Sequence, residues 1–400
     1  MAEALSQDRT LSRLALEVSS KVEVLGPTNC HALIACSKTK CTHRDLARHM
    51  YVSSLYRKSV LAAEGLGVQF SILSAKYGLL DPDQVVEPYD LTLKGKSTAF
   101  KAAWAARVDA QIQKTFDHGK CLIVLAGDDY YQPLLEVDGK TPNYFAPMKG
   151  LSLGNRLAFL NQCIRLKKRQ RDVARAYELF ARIGAHTGMY ELKRLLETTL
   201  PKQGVYFFFD EGETTAFSRT IPRLVRVGTH GVSAGSTATL RNRLRTHFGT
   251  RNGFGNHRAS VFRLHVGRAI IERDRLNEIF PNWGKGQSAP KEVTEQEAPL
   301  EIRVSEYIGK LRVLYIPIAD AAGKGSMRAT IERQFIALVT ENICPVETSS
   351  PSWLGQFSDK ATIRETGMWN VRDVGGNYDL RFLEFFDGLV SRSRQKDMVA

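Results

Sequence analysis

Between Gly204 and His257 the chain collects a phenol, guanidinium groups and imidazoles, with no cysteine and no Gly-rich phosphate loop. Gly204-Val205-Tyr206 opens the apolar run Tyr206-Phe207-Phe208-Phe209, which closes at the acidic turn Asp210-Glu211-Gly212-Glu213. A second β-type run, Leu224-Val225-Arg226-Val227, ends at Gly228. The following Leu240–His247 has helical spacing, and its Arg243 and His247 stand four residues apart on one face. Two adjacent strands and a basic helix would bring Tyr206, Arg243, His247 and His257 to one small surface. That set of groups suits phosphodiester chemistry.

These residues carry a resemblance. The half of the chain that contains them resembles a divergent GIY-YIG endonuclease domain, with Gly204-Val205-Tyr206 as the first tripeptide and Arg226-Val227-Gly228 as the second. The resemblance puts Arg243 at the catalytic arginine and Glu332, in Ile331-Glu332-Arg333-Gln334, at the metal-binding glutamate. Arg226 stands where a tyrosine is usual, which leaves the second phenol's task to His230, His247, His257 or no residue. The implied reaction is phosphodiester hydrolysis with one divalent ion, Mg²⁺ or Mn²⁺, on Glu332. Tyr206 would help activate water, and Arg243 would stabilise the charge that develops on phosphorus. His247 and His257 are candidates for proton shuttling or phosphate binding, and Asn370, in Gly367-Met368-Trp369-Asn370-Val371, for orienting the site. Arg226 and Arg258 are expected to contact DNA.

The elements that would position these groups follow from the rest of the chain. Its 400 residues exceed one ordinary core, so two domains are expected. The apolar content is that of a soluble globular protein, no run approaches membrane-spanning length, and the first residues lack the pattern of a secretory signal. A cytoplasmic protein is expected. Six cysteines without repeated short spacings fit a reducing compartment, and Cys36 and Cys41 have no matching second pair of the kind a zinc framework uses.

The net charge of +14 is local. Residues 1–150 carry 18 Lys/Arg against 16 Asp/Glu, residues 151–200 carry 10 against 4, and residues 201–268 carry 11 against 3. Phosphate neutralisation is the physical reason such a region would favour DNA.

In the first half, Ala32–Ala35, Val68–Leu73 and Cys121–Ala126 read as strands of a mainly parallel α/β sheet, with helices at about Asp45–Glu64 and Phe100–Phe116. Each apolar run gives way to a polar loop, and such loops share the carboxyl edge where ligands bind. Lys38, Lys76, Tyr77, Asp90 and Tyr130 are therefore expected to converge.

The strings Ala35-Cys36-Ser37-Lys38-Thr39-Lys40, Ile72–Leu80, Glu87–Leu93, Gly127–Tyr131 and Pro147-Met148-Lys149-Gly150-Leu151 resemble an uncharacterised bacterial domain family. That family is similar in pattern to YaaA-like proteins and, more distantly, to α/β uracil-DNA-glycosylase-like folds. The resemblance implies a site for a DNA base or nucleotide, and N-glycosidic cleavage as its chemistry. Ser37, Lys38, Tyr77, Tyr89, Tyr130 and Lys149 are candidate contacts. Asp90 would orient water or stabilise an oxocarbenium-like sugar, and Lys38 or Lys76 would attack as a neutral amine or contact phosphate. Tyr77, Tyr89 or Tyr130 would stack on an extruded base.

The resulting plan is an N-terminal extension (1–28), an α/β domain (29–165), a basic helical connector (166–201) and an α+β GIY-YIG-like domain (202–390). Phe262–Gly267 is expected as a strand, 282–302 as a mobile surface insertion, and Arg328–Glu341 as the helix that carries Glu332. The expected function is a DNA-processing enzyme that recognises and excises a modified base and cuts the strand, in defence against foreign or phage DNA. The alternatives are a nuclease whose first domain only binds, and an inactive DNA-binding protein.

Overall fold

The computed structural model describes residues 2–137, 143–250, 252–323 and 325–397. They fall into two compact units, residues 1–168 and 169–400.

The first unit holds a sheet of β1 (Cys30–Ala35), β2 (Gln69–Ser74), β3 (Gly78–Leu80), β4 (Cys121–Leu125) and β5 (Asn143–Phe145), in the order β3-β2-β1-β4-β5. All neighbours run parallel except β3, which pairs antiparallel with β2. Ala32, Leu33 and Ile34 of β1 and Leu122, Ile123 and Val124 of β4 are buried, as central parallel strands covered on both faces must be. Helices α1 (Ala2–Leu25), α2 (Ser54–Leu66), α3 (Thr98–Thr115) and α4 (Asp128–Leu135) complete the unit.

The helix expected over Asp45–Glu64 is divided. Asp45–Leu46 pairs with Val85–Val86, Ala47–Met50 forms a single turn, and α2 starts only where the Ser53 side chain accepts from the Tyr56 amide. The long helix α5 (Leu153–Thr187) then runs for 35 residues. It is more than a connector, because Val173, Tyr177, Phe180 and Ile183 are core residues of the second unit.

The second unit is built on an antiparallel sheet of β6 (Tyr190–Glu191), β7 (Gly204–Asp210), β8 (Arg223–Gly228) and β9 (Arg312–Pro317), in the order β8-β7-β9-β6. Its longer helices are α6 (Leu240–Phe248), α7 (Val261–Asp274), α8 (Lys291–Lys310), α9 (Met327–Thr340) and α10 (Phe382–Asp397). The alternation of β7 divides the interior. Val205, Phe207 and Phe209 join a core with α5, α9 and α10, while Tyr206 and Phe208 join one with α6, α7 and α8.

Two expectations fail here. Phe262–Gly267 belongs to helix α7, not to a strand. Much of the supposed insertion at 282–302 is helix α8, whose Leu300, Val304 and Ile308 are buried in the core. Among the described residues no helix is long and apolar enough to cross a membrane.

Candidate active site

Two glycines fix where the central phenol stands. A Cβ on Gly228, opposite Tyr206 across the β7–β8 pair, would lie 2.4 Å from the Tyr206 Cζ and Oη. A Cβ on Gly204 would lie 2.6 Å from the Ile316 carbonyl oxygen. Both glycines are therefore required by close approach rather than by a turn.

Tyr206 is fully buried, and its hydroxyl lies 2.9 Å from His247 Nε2. His247 Nδ1 lies 2.8 Å from Ser260 Oγ, and Ser260 caps α7 by accepting from the Arg263 amide. Burial raises the phenol above its ordinary value, and the charges of Arg226 and Arg243 work against that rise. Burial, reinforced by Arg226, Arg243 and Arg263, holds His247 well below the ordinary histidine range. A protonated phenol next to a neutral imidazole fixes the polarity: Tyr206 donates to Nε2, and Nδ1–H donates to Ser260.

Arg226 and Arg243 act on Tyr206 and also on Glu332, so these four groups share one small volume. Arg226 is nearly buried, donates to the Trp369 carbonyl at 3.2 Å, and lies 4.7 Å over the Phe262 ring. Arg243, on α6, is half-buried and has no carboxylate ion-pair partner among the described residues. Arg328, the obvious partner for Glu332 on the same helix, instead pairs with Asp320 and donates to the His230 carbonyl at 2.7 Å. Glu332 is pushed up to about 7, chiefly by burial and also by the Asp373 carboxylate, while Arg226 and Arg243 pull the other way.

That carboxylate is a fitting donor for a hard divalent cation. Two arginines do not fully offset the cost of burying its charge, a second carboxylate on Asp373 acts on it, and one or two carboxylates with water form the donor set such ions accept.

Other expected residues are placed elsewhere or used differently. Asn370 spends its amide on the Val227 backbone, accepting from N–H at 3.0 Å and donating to C=O at 2.9 Å. It positions the second tripeptide. His230 accepts from the Gly204 amide at 3.3 Å and donates to the Ala238 carbonyl at 3.1 Å, which ties the start of β7 to the loop between β8 and α6.

His257 does not join the site. It is buried against Trp283 with ring centroids 3.8 Å apart, its Nδ1 is 3.0 Å from Glu301, and its Nε2 accepts from the Gly284 amide at 3.0 Å. Both nitrogens are engaged, so it is unavailable for proton shuttling. Arg258 is locked in a nearly buried bidentate pair with Glu297, at 2.6 and 2.9 Å, and cannot serve as a free DNA contact. Of the imidazoles considered for the second phenol's place, only His247 contacts Tyr206.

At the carboxyl edge of the first unit's sheet several expected groups do converge. Tyr89 Oη lies 2.7 Å from Ser74 Oγ and 3.0 Å from Tyr51 Oη. Tyr77 packs edge-on to Tyr89, and Lys76 Nζ stands 4.9 Å over Tyr77 and 5.7 Å over Tyr89. Lys40 stands 4.2 Å over Tyr89, and partial burial lowers its ammonium against the opposing pull of Cys36 and Asp90.

Tyr130 is buried, 3.1 Å from Cys36 Sγ and edge-on to Trp104, so it cannot stack on an extruded base as it stands. Lys38 and Lys76 are exposed, which does not suit an amine nucleophile that needs desolvation. Ser37 closes a turn onto the Thr39 carbonyl at 2.6 Å, and Lys149 is exposed in the turn after Ala146. Cys36, Lys40, Tyr51, Ser74 and Trp104 were not singled out from sequence. Lys40 was the most legible of them, since it belongs to the same Ser-Lys-Thr-Lys run as Lys38.

Residues 167–396 match a family model described as GIY-YIG domain, and residues 32–162 match one described as a family of unknown function (DUF6884). No curated protein and no solved structure matches the chain. The model matched by residues 32–162 lends no support to the YaaA-like or uracil-DNA-glycosylase-like resemblance.

Proposed function

The chain belongs to the GIY-YIG domain family, and from that membership we propose that it is a DNA endonuclease centred on Tyr206, Arg226, Arg243, His247 and Glu332. The observation that carries the reading is the buried 2.9 Å contact between the Tyr206 hydroxyl and His247, set among two arginines and a carboxylate held near 7.

Resting Tyr206 is protonated, so it serves best as a relay. It accepts a proton from the attacking water at its oxygen as it passes its own to His247 Nε2. Burial first and the arginine charges second hold His247 neutral, and the second cause is offset when a phosphodiester brings its negative charge against Arg226 and Arg243. Arg243, free of a carboxylate ion-pair partner, stabilises the charge that grows on phosphorus. Arg226 occupies the place of the second phenol and supplies charge where the usual tyrosine would supply a hydroxyl. Glu332 would hold Mg²⁺ or Mn²⁺, which when bound supplies positive charge at the leaving oxygen.

The first unit serves recognition in this reading. Tyr77, Tyr89, Lys40 and Lys76 form an aromatic and cationic edge suited to a nucleotide, and a modified base is the ligand proposed for it. Lys40, partly buried beside Asp90, and Asp90 take the place of the exposed Lys38 and Lys76 as the residues proposed for base excision. Restriction of foreign DNA is the biological role proposed for the pairing.

Purified protein, incubated with Mg²⁺ and a panel of plain and base-modified DNAs, tests this when free base and strand breaks are scored separately. Strand breaks lost in Glu332→Ala and Arg243→Ala support the nuclease. Breaks that persist in both variants contradict it. Released base lost only in Lys40→Ala or Asp90→Ala would make the first unit catalytic, and no released base from any substrate would leave it a binding domain.

A further inference from the structure

The loop between Lys40 and Tyr51 in the first unit carries Cys41, His43, Asp45 and His49 within nine positions, none of them used by the sites described above. One donor atom each from Cys41, His43 and Asp45 lies within 4.8 Å of the others. The Asp45 carboxylate is 3.8 Å from His43 Nε2 through one oxygen and 3.5 Å from His49 Nδ1 through the other. We propose that Cys41, His43 and Asp45, with His49 as the fourth donor, bind a zinc ion.

The chemistry and spacing argue for zinc. Thiolate, imidazole and carboxylate form the mixed S, N and O set that zinc takes and that Mg²⁺ does not. Bonds of about 2.0–2.3 Å in a tetrahedron put ligand atoms about 3.3–3.8 Å apart; His43 Nε2 stands 3.8 Å from one Asp45 oxygen and His49 Nδ1 3.5 Å from the other, and the Cys41, His43 and Asp45 donors, within 4.8 Å of one another, need only a small inward shift to close on an ion.

The loop is also held ready. Its ends pair as an antiparallel Lys40–Tyr51 bridge, the Cys41 amide donates to the Met50 carbonyl at 2.9 Å, and Asp45–Leu46 pairs with Val85–Val86. Cys41 Sγ stands 3.2 Å from the His43 carbonyl and 3.5 Å from Met50 Sδ. The ion's role is positional. Lys40 and Tyr51, at the two ends of the stapled loop, are the cation and the phenol presented to Tyr89.

Cysteine spacing alone pointed away from zinc because it seeks paired cysteines, whereas this set has one thiol and three other ligands.

The test uses the full chain, dialysed against metal-free buffer and analysed for metal content. The expected result is about one zinc per chain in the wild type and in Glu332→Ala, falling at least tenfold in Cys41→Ser and in His43→Ala. Co²⁺ added to the chelated protein should give a thiolate charge-transfer absorption that Cys41→Ser lacks. Far-ultraviolet circular dichroism checks that each variant is folded, and His43, 74% exposed, can be removed with little risk to the core. A wild-type chain that retains no zinc and shows no cobalt band would overturn the proposal. So would zinc retained at full occupancy by a folded Cys41→Ser, His43→Ala double variant.

Discussion

At Tyr206 the opposition between burial and charge decides what the phenol can do. Burial keeps it protonated, and burial, reinforced by the neighbouring arginines, keeps His247 neutral and able to receive a proton. Tyr206→Phe retains the ring in its core position and removes only the relay. It should lower the cleavage rate by about 10²–10⁴-fold, and stability by only about 1–3 kcal/mol because the buried His247 Nε2 loses its donor. Glu332 makes a pH prediction with two signs. Its carboxyl is raised from 4.5 to about 7, so the fold favours the protonated form. Stability from this group is greatest below about 4.5 and is lost as pH rises towards 7. In metal-free buffer Glu332→Gln should therefore melt higher than wild type at pH 8, and the gap should close towards pH 4.5. Cleavage runs the other way, because the proton competes with the divalent ion. It should fall as pH drops through about 7, and higher Mg²⁺ should partly restore it.

Among the elements, helices α7 and α8 are held by buried charge as much as by apolar contact. Arg263, fully buried, donates to Glu301 through Nε at 2.9 Å and to the His247 and Phe248 carbonyls at 2.9 and 3.0 Å. Glu301→Ala leaves that guanidinium and His257 without their shared partner and should cost about 3–5 kcal/mol, measured by chemical denaturation. At the strands, Gly228→Ala forces the Tyr206 ring to move, so it should lose cleavage as severely as Tyr206→Phe and also lower stability by about 1–3 kcal/mol.

The same buried pairs explain what sequence reading missed. Strands β1, β2, β4, β7 and β8 were legible because their apolar runs face covered layers. Phe262–Val266 alternates apolar and polar as a half-buried strand does, yet it lies in a helix buried nearly all round, with Arg263 and His265 inside. The polar run before Leu300 resembled an exposed insertion because Glu297 and Glu301 are ordinarily surface residues. Here each meets an arginine from the neighbouring segment. His257 and Arg258 were misread for the same reason: their partners lie about forty residues away, where no local pattern reveals them. Motif order pointed to Tyr206, Arg243 and Glu332, and helical spacing from Arg243 pointed to His247.

For the whole molecule, the excess of 11 Lys/Arg over 3 Asp/Glu falls in residues 201–268, the segment that carries most of the proposed centre, while residues 1–150 are nearly neutral. Arg223, Arg258 and Arg263 of that excess are consumed by buried pairs with Glu213, Glu297 and Glu301, so the charge left for phosphate is smaller than the count suggests. DNA affinity of the Glu332→Ala chain should still fall about tenfold or more between ~50 and ~200 mM salt. The most direct test of the central claim is strand cleavage by purified full-length chain with Mg²⁺, wild type beside Glu332→Ala, on plain and base-modified DNA. Breaks made by the wild type on at least one of these DNAs, and abolished in a folded Glu332→Ala chain, are the result expected. Equal cleavage by both chains, or none by the wild type on any of these DNAs, would contradict it.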